Sequence, residues 1–359
     1  MIIHGDCLLK MQEMEDNSIS AIVTDPPYGL KFMGKDWDHG IPGIPYWKET
    51  LRISKPGSFM LAFGGTRTFH RLTCSIEDAG WEIRDCIMWL YGSGFPKGKG
   101  CLKPAWEPII MARKNGPNPK LNIDECRIDI LKCDDIYKKN PHTNHKDLNS
   151  YCGNLGKSTY CIPQGRWPSN LLLDEESAAL LDQQSGISRS RDGGKSGSNA
   201  NPMSWTEDNK DRPRKAPNDS GGASRFFYCA KASSSERNFG CEDLPIKLSP
   251  YSQEIGNGEG LRIKNRVSSP RSNNHPTVKP VKLMEYLIKL IMPPKDGLLL
   301  DPFAGSGTTL LAAQNLGFKA IGIEKDEGYC QIAKSRLGYN SKNDMINLEQ
   351  EIEPMAQSR

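Results

Sequence analysis

Short apolar runs that stop at a carboxylate open and close this chain: 2–4 before Asp6, 20–24 before Asp25, 297–300 before Asp301 and 320–323 before Glu324. Runs of this length without polar alternation read as strands covered on both faces, as in a parallel sheet. Helical spacing fills the gaps at 7–14, 46–53, 68–78, 280–291, 308–315 and 328–337, and two further strands are expected at 58–63 and 81–89. Strand and helix alternating at this pitch predict an α/β fold, a parallel-type sheet with helices on both faces.

The alternation stops at Gly92. From there to about Phe226 glycine and proline cluster, with one short helix expected at 175–183 and a very polar run at 185–222 that cannot form a core element by itself. Residues 225–229 return to strand, and 246–271 are polar again. The expected organisation is one sheet domain assembled from two halves, 1–115 and 273–340. Around them lie a variable region at 116–224, a strand and polar connection at 225–272, and a polar tail at 341–359.

Net charge is only +4, but residues 185–280 hold 16 Lys and Arg against 10 Asp and Glu, so the middle is basic and the rest slightly acidic. A basic middle fits phosphate contact, and a solvated loop has the same composition. No stretch approaches the roughly 18 consecutive apolar residues of a membrane span. Nor do the first residues show a basic segment followed by a long apolar run, so neither membrane insertion nor secretion is expected. The 11 cysteines form no compact framework, which suits free thiols in a reducing cytoplasm. Cys126, Cys133, Cys152 and Cys161, with His142 and His145 nearby, are spaced too widely for a structural zinc site, and no metal is expected.

Four segments carry candidate chemistry. Asp25-Pro26-Pro27-Tyr28 ends a strand. Asp25 and the Pro26 carbonyl are two acceptors at fixed geometry, suited to the hydrogens of an exocyclic base amine whose lone pair is otherwise delocalised, and Tyr28 is placed to stack on the base. Asp301-Pro302-Phe303-Ala304-Gly305-Ser306-Gly307 makes a tight strand-to-helix turn, where backbone amides at the helix start can face a carboxylate. It lacks the GK[ST] of a triphosphate loop. Glu324, ending the next strand, can take both hydroxyls of a ribose. Asp6 reads either as an acceptor for an adenine amine or as a helix N-cap. In the segment 274–280, Thr277 or its neighbours can cap the helix that Pro280 begins, Lys279 faces either a cofactor carboxylate or solvent, and His275, with no visible catalytic partner, reads as structural or a hydrogen-bond donor rather than a general base.

Together, in this order, the segments resemble the amino-methyltransferases of DNA in which the catalytic DPPY motif precedes the cofactor motif. The match rests on SAIVTDPPYG at 20–29, HPTVKP at 275–280, LLLDPFAGSGTT at 298–309, GDC at 5–7 and GIEKD at 322–326, about half of the chain. The resemblance implies an S-adenosylmethionine-dependent methyltransferase fold, a mostly parallel seven-stranded sheet with one antiparallel strand, and an irregular inserted target-recognition region. It assigns Asp25, Pro26, Pro27 and Tyr28 to the target amine and base. Asp301, Pro302, Phe303, Ala304, Gly305 and Gly307 go to the S-adenosylmethionine pocket, with Glu324 on the ribose, Asp6 on the adenine, and Thr277 and Lys279 near the methionine moiety. Aspartate first in the tetrapeptide implies adenine N6 over cytosine N4. The stretches at 31–37, 63–72, 92–98, 103–109 and 165–170 are similar to a phage- or prophage-associated branch.

The partner implied is double-stranded DNA, with the target base rotated out of the helix. Phe32, Trp37 and Phe95 are candidates for the pocket or for core packing. Arg189, Arg191, Arg212, Arg214 and Lys215 are candidates for DNA contact or for a solvated loop. An RNA or protein amino-methyltransferase and a non-enzymatic DNA-binding module are the competing readings. A homodimer and a separate restriction endonuclease partner stay open.

Overall fold

The computed structural model describes residues 1–30, 40–94, 100–117, 120–129, 165–189, 219–230, 238–242, 244, 272–273, 275, 277–293 and 297–338. The first half builds β1 (Ile2–His4), α1 (Cys7–Gln12), β2 (Ile19–Thr24), α2 (Ile44–Ile53), β3 (Ser54–Phe63), α3 (Phe69–Asp78), β4 (Glu82–Leu90) and β5 (Trp106–Arg113). The middle adds β6 (Leu171–Asp174), α4 (Glu175–Ser185), the two-residue strands β7 (Ser188–Arg189) and β8 (Ser220–Gly221), and β9 (Tyr228–Ala230). The last part supplies α5 (Val281–Ile291), β10 (Leu298–Asp301), α6 (Thr308–Asn315), β11 (Lys319–Glu324) and α7 (Glu327–Arg336).

The main sheet runs β1-β11-β10-β2-β3-β5-β4-β6-β9, with every neighbouring pair parallel except those made by β5. The seven strands from β1 to β4 meet the expected mostly parallel sheet with one antiparallel member; β6 and β9 extend it to nine among the described residues. The four-residue β6 comes from the stretch that reads as irregular, and the three-residue β9 overlaps the strand expected at 225–229. Too short to show a period of their own, they form by pairing to an existing edge.

The helices cover both faces. Side chains alternate across a strand, so Ala21 and Val23 of β2 belong to the buried cluster that includes α5, α6 and α7, while Ile22 belongs to the one with Met11, Trp47, Leu72 and Ile76. All six β2 residues are buried, including the polar Ser20 and Thr24. Each large aliphatic side chain buried here contributes about 1.5–3 kcal/mol. Among the described residues no helix is long and apolar enough to cross a membrane.

Two expectations are corrected. Strand structure does not lapse after Gly92: Trp106–Arg113 is a central strand between β3 and β4. Pro108 within it argues against a central strand on sequence alone, yet its carbonyl still accepts from Gly64 N at 2.9 Å. Thr277 does not cap α5; it is exposed, and Pro280 holds the position before the helix without a side-chain cap.

The topology locates a crevice. From β10 the chain moves through α6 to β11 on one side, and from β2 it moves through α2 to β3 on the other. The β10–β2 gap is therefore where the winding reverses, the place at which open α/β sheets bind ligands beyond their strand carboxyl ends.

Candidate active site

Both candidate motifs emerge at this reversal. After β10, Gly305 and Gly307 adopt φ of +53° and +76°, values that cost a side chain roughly 1–2 kcal/mol. Space is short as well: a Cβ on Gly305 would stand 2.8 Å from His275 Nε2, and one on Gly307 2.9 Å from the Ala333 Cβ. Glu324 clasps the turn, its Oε2 accepting from Gly305 N at 2.8 Å and its Oε1 from Asp326 N at 2.7 Å. Burial raises the Glu324 pKa, and those amide bonds oppose the shift. Ala304 is buried, and the Phe303 ring lies 6.1 Å from Tyr46 and 6.4 Å from Trp47.

Asp301 sits beneath the turn rather than on its open side. Its carboxylate, 2% exposed, accepts from Thr309 Oγ1 at 2.5 Å, Thr24 Oγ1 at 2.7 Å and Phe303 N at 3.1 Å. Burial pushes its pKa up to about 6 against the opposing pull of these donors. Since Thr24 immediately precedes Asp25, the carboxylate ties the glycine turn to the other motif. Asp6 caps α1, accepting from Leu8 N at 3.0 Å, with its second oxygen 3.4 Å from Lys325 Nζ. Gly5 N donates to the Glu324 carbonyl at 2.9 Å, which brings Asp6 beside the end of β11.

Beyond β2 the Asp25–Tyr28 segment closes on itself. The Tyr28 hydroxyl lies 2.8 Å from Asp25 Oδ1 and 3.1 Å from Glu107 Oε2 and can donate to either. Thr68 Oγ1 donates to the Tyr28 carbonyl at 2.7 Å, and a Cβ on Gly65 would approach the tyrosine ring to 3.2 Å. Lys279, read as facing a cofactor carboxylate or solvent, is buried and extends its ammonium to Asp25 Oδ2 at 2.5 Å, the Tyr28 hydroxyl at 3.2 Å and Glu107 Oε2 at 3.3 Å. It also lies 4.8 Å from the Phe63 ring centroid. Burial alone would lower the Lys279 pKa, but Asp25 and Glu107 reverse the effect and hold it raised. Burial, followed by those two carboxylates, lifts Tyr28 well above the usual phenol range, so its hydroxyl keeps its proton.

Glu107 is the member that sequence reasoning missed. Because β5 runs against its neighbours, its first residues lie at the carboxyl ends of the parallel strands, beside Asp25. The only sequence signal was a carboxylate at the start of an apolar run. His275 packs edge-on to Tyr329, with ring centroids 4.5 Å apart. Arg189 is exposed on β7. Phe32, Trp37, Phe95, Arg191, Arg212, Arg214 and Lys215 lie outside the described residues, as do Cys133, Cys152, Cys161, His142 and His145.

A parallel sheet with one antiparallel strand, covered on both faces and presenting a glycine turn and an acidic strand end at its point of reversal, is the S-adenosylmethionine-dependent methyltransferase fold. Residues 19–335 match the N6/N4 family described as DNA methylase, and the chain belongs to that family. It is 45% identical over 87 residues to the type II methyltransferase M.HindIII of Haemophilus influenzae, a match covering 24% of this chain and 28% of that protein. Against the type II methyltransferase M.HpaI of Haemophilus parainfluenzae it is 22% identical over 347 residues, 94% of this chain and 73% of the relative. A solved structure, the cytosine-N4-specific PvuII DNA methyltransferase, aligns with TM-score 0.48 and 17% identity over 100% of this chain and 93% of that one.

Proposed function

We propose that this chain transfers a methyl group from S-adenosylmethionine to the N6 amino group of adenine at specific sites in double-stranded DNA. The observation that carries this reading is the joining of two motifs at one crevice: Asp25 and the glycine turn are linked through the Thr24–Asp301 hydrogen bond at 2.7 Å. Membership of the DNA methylase family supports the reaction class. Aspartate at the head of the tetrapeptide supports adenine over cytosine.

The residues fit the cofactor. Gly305 and Gly307 let the turn pack directly on His275 and Ala333 ahead of α6, and the amides at that helix start can receive a carboxylate. Each Glu324 oxygen uses one lone pair on a backbone amide and retains another for a ribose hydroxyl. Asp6, beside the end of β11, is assigned to the adenine amine, and Pro302, Phe303 and Ala304 form the wall of the pocket. When bound, S-adenosylmethionine supplies an electrophilic methyl group on a sulfonium.

Asp25 and the Pro26 carbonyl hold the two amine hydrogens, so that the nitrogen lone pair turns out of conjugation toward the methyl group. Asp25 would offset the positive charge that the amine nitrogen gains on methylation and would take the proton that the nitrogen sheds. Pro27 stiffens the segment, and Tyr28 packs against the base, which must leave the duplex to reach it. Catalysis is then positioning and electrostatics without a covalent enzyme intermediate.

The test is transfer of labelled methyl to mixed-sequence duplex DNA, followed by nucleoside mass analysis. N6-methyladenine is expected. N4-methylcytosine would correct the base, and no transfer despite measured cofactor binding would overturn the reading.

A further inference from the structure

Asp25 has two carboxylate oxygens, and both are engaged: Oδ1 by the Tyr28 hydroxyl and Oδ2 by the Lys279 ammonium at 2.5 Å. Each oxygen keeps a second lone pair for an amine N–H, but of the two donors already in place one opposes the reaction. Lys279 is the one that obstructs the chemistry, because the amine nitrogen gains positive charge as it is methylated and an ammonium on the same carboxylate repels it. A buried ammonium cannot leave without another anion to receive it. Glu107 is that anion, with Oε2 already 3.3 Å from Lys279 Nζ and 3.1 Å from the Tyr28 hydroxyl. Closing the first distance to about 2.8 Å, usual for a charged pair, needs only a small swing of a flexible side chain. The side chains of Lys279 and Glu107 are 8% and 22% exposed, so water is a poor substitute.

We infer that Glu107 is a positioning residue that takes Lys279 and the Tyr28 hydroxyl when the target amine claims Asp25, switching the site from a closed ion cluster to an open acceptor. The inference rests on the reading that Asp25 receives the amine. Glu107 itself touches neither base nor cofactor in this arrangement; it acts by relieving Asp25.

The test compares the full-length wild-type chain with Glu107→Gln, Lys279→Gln and the double variant. Turnover is measured at saturating S-adenosylmethionine and saturating mixed-sequence duplex DNA, alongside dissociation constants for both. Glutamine keeps the shape but cannot neutralise the ammonium. Glu107→Gln is expected to lower kcat by about a hundredfold, the scale of a misplaced reacting group, with both dissociation constants unchanged. Adding Lys279→Gln should recover part of that kcat, because no ammonium then opposes the charge that develops beside Asp25; a purely structural Glu107 would not separate kcat from binding in this way. Should Glu107→Gln fail to fold, Glu107→Asp, which retains the charge one methylene short, is expected to show a smaller loss that Lys279→Gln again relieves. Wild-type turnover in Glu107→Gln, or a double variant no faster than the single one, would overturn the inference. Absence of transfer by the wild-type chain would instead overturn the reading beneath it.

Discussion

At the residue scale, the two acidic strand ends have opposite environments. Asp25 is partly open and shared between Tyr28 and Lys279, whereas Asp301 is enclosed and saturated by three donors. Asp25→Ala should therefore lower transfer by roughly 10²–10³-fold, the cost of deleting one preorganised charge-stabilising group, while cofactor binding persists; parallel loss of both in a binding and turnover assay would remove Asp25 from the amine. Asp301 makes a pH prediction. Its folded pKa of about 6 lies above the ordinary 3.8, so the folded state holds a proton that the unfolded chain has already lost. Its stabilisation is full below the lower value and is lost as pH rises through the upper one. The Tm difference between wild type and Asp301→Asn should consequently shift against the wild type between about pH 4 and pH 6 and level off above. A difference independent of pH in thermal melts would contradict the assignment.

At the element scale, the turn into α6 is where local chemistry and packing make the same demand. Gly307 combines φ of +76° with a Cβ position 2.9 Å from the Ala333 Cβ. Gly307→Ala should cost at least the roughly 1–2 kcal/mol of left-handed strain, seen as a lower midpoint in urea unfolding; an unchanged midpoint would mean that the turn relaxes at no cost. This turn was legible in the sequence because glycine spacing reports a local backbone need. The strand β5 was not, because an antiparallel insertion with a proline in its run has no period that separates it from a loop. Glu107 was hidden for the same reason: its role follows from the direction of its strand, whose β3 partners, from Phe63 opposite Ile109 onward, lie 46 and more residues earlier. The α4 helix was legible near its true bounds, with Asp174 and Ser177 forming a capping box at its start.

At the scale of the whole molecule, the first and last of the described strands are adjacent: Met1 N donates to the Ala320 carbonyl at 2.8 Å, and β10 lies between β11 and β2. Cofactor binding across this seam should stabilise the fold as a unit, by about 2.7 kcal/mol at a ligand concentration a hundred times the dissociation constant. Glu324→Ala removes a carboxylate from the proposed ribose site and should raise that constant about tenfold or more, the worth of charge-assisted hydrogen bonds. The Tm rise given by S-adenosylmethionine at fixed concentration should shrink accordingly; an equal rise would take Glu324 out of the site. The sequence by itself determined the layered α/β fold, the two motifs and the family resemblance, because buried strands, glycine turns and acidic strand ends are written in neighbouring residues. Only the tertiary structure decided that Lys279 pairs with Asp25, that Glu107 joins them, and that the sheet continues through β6 and β9. Each of those depends on strands from distant parts of the chain being aligned, and no local pattern of residues encodes that alignment.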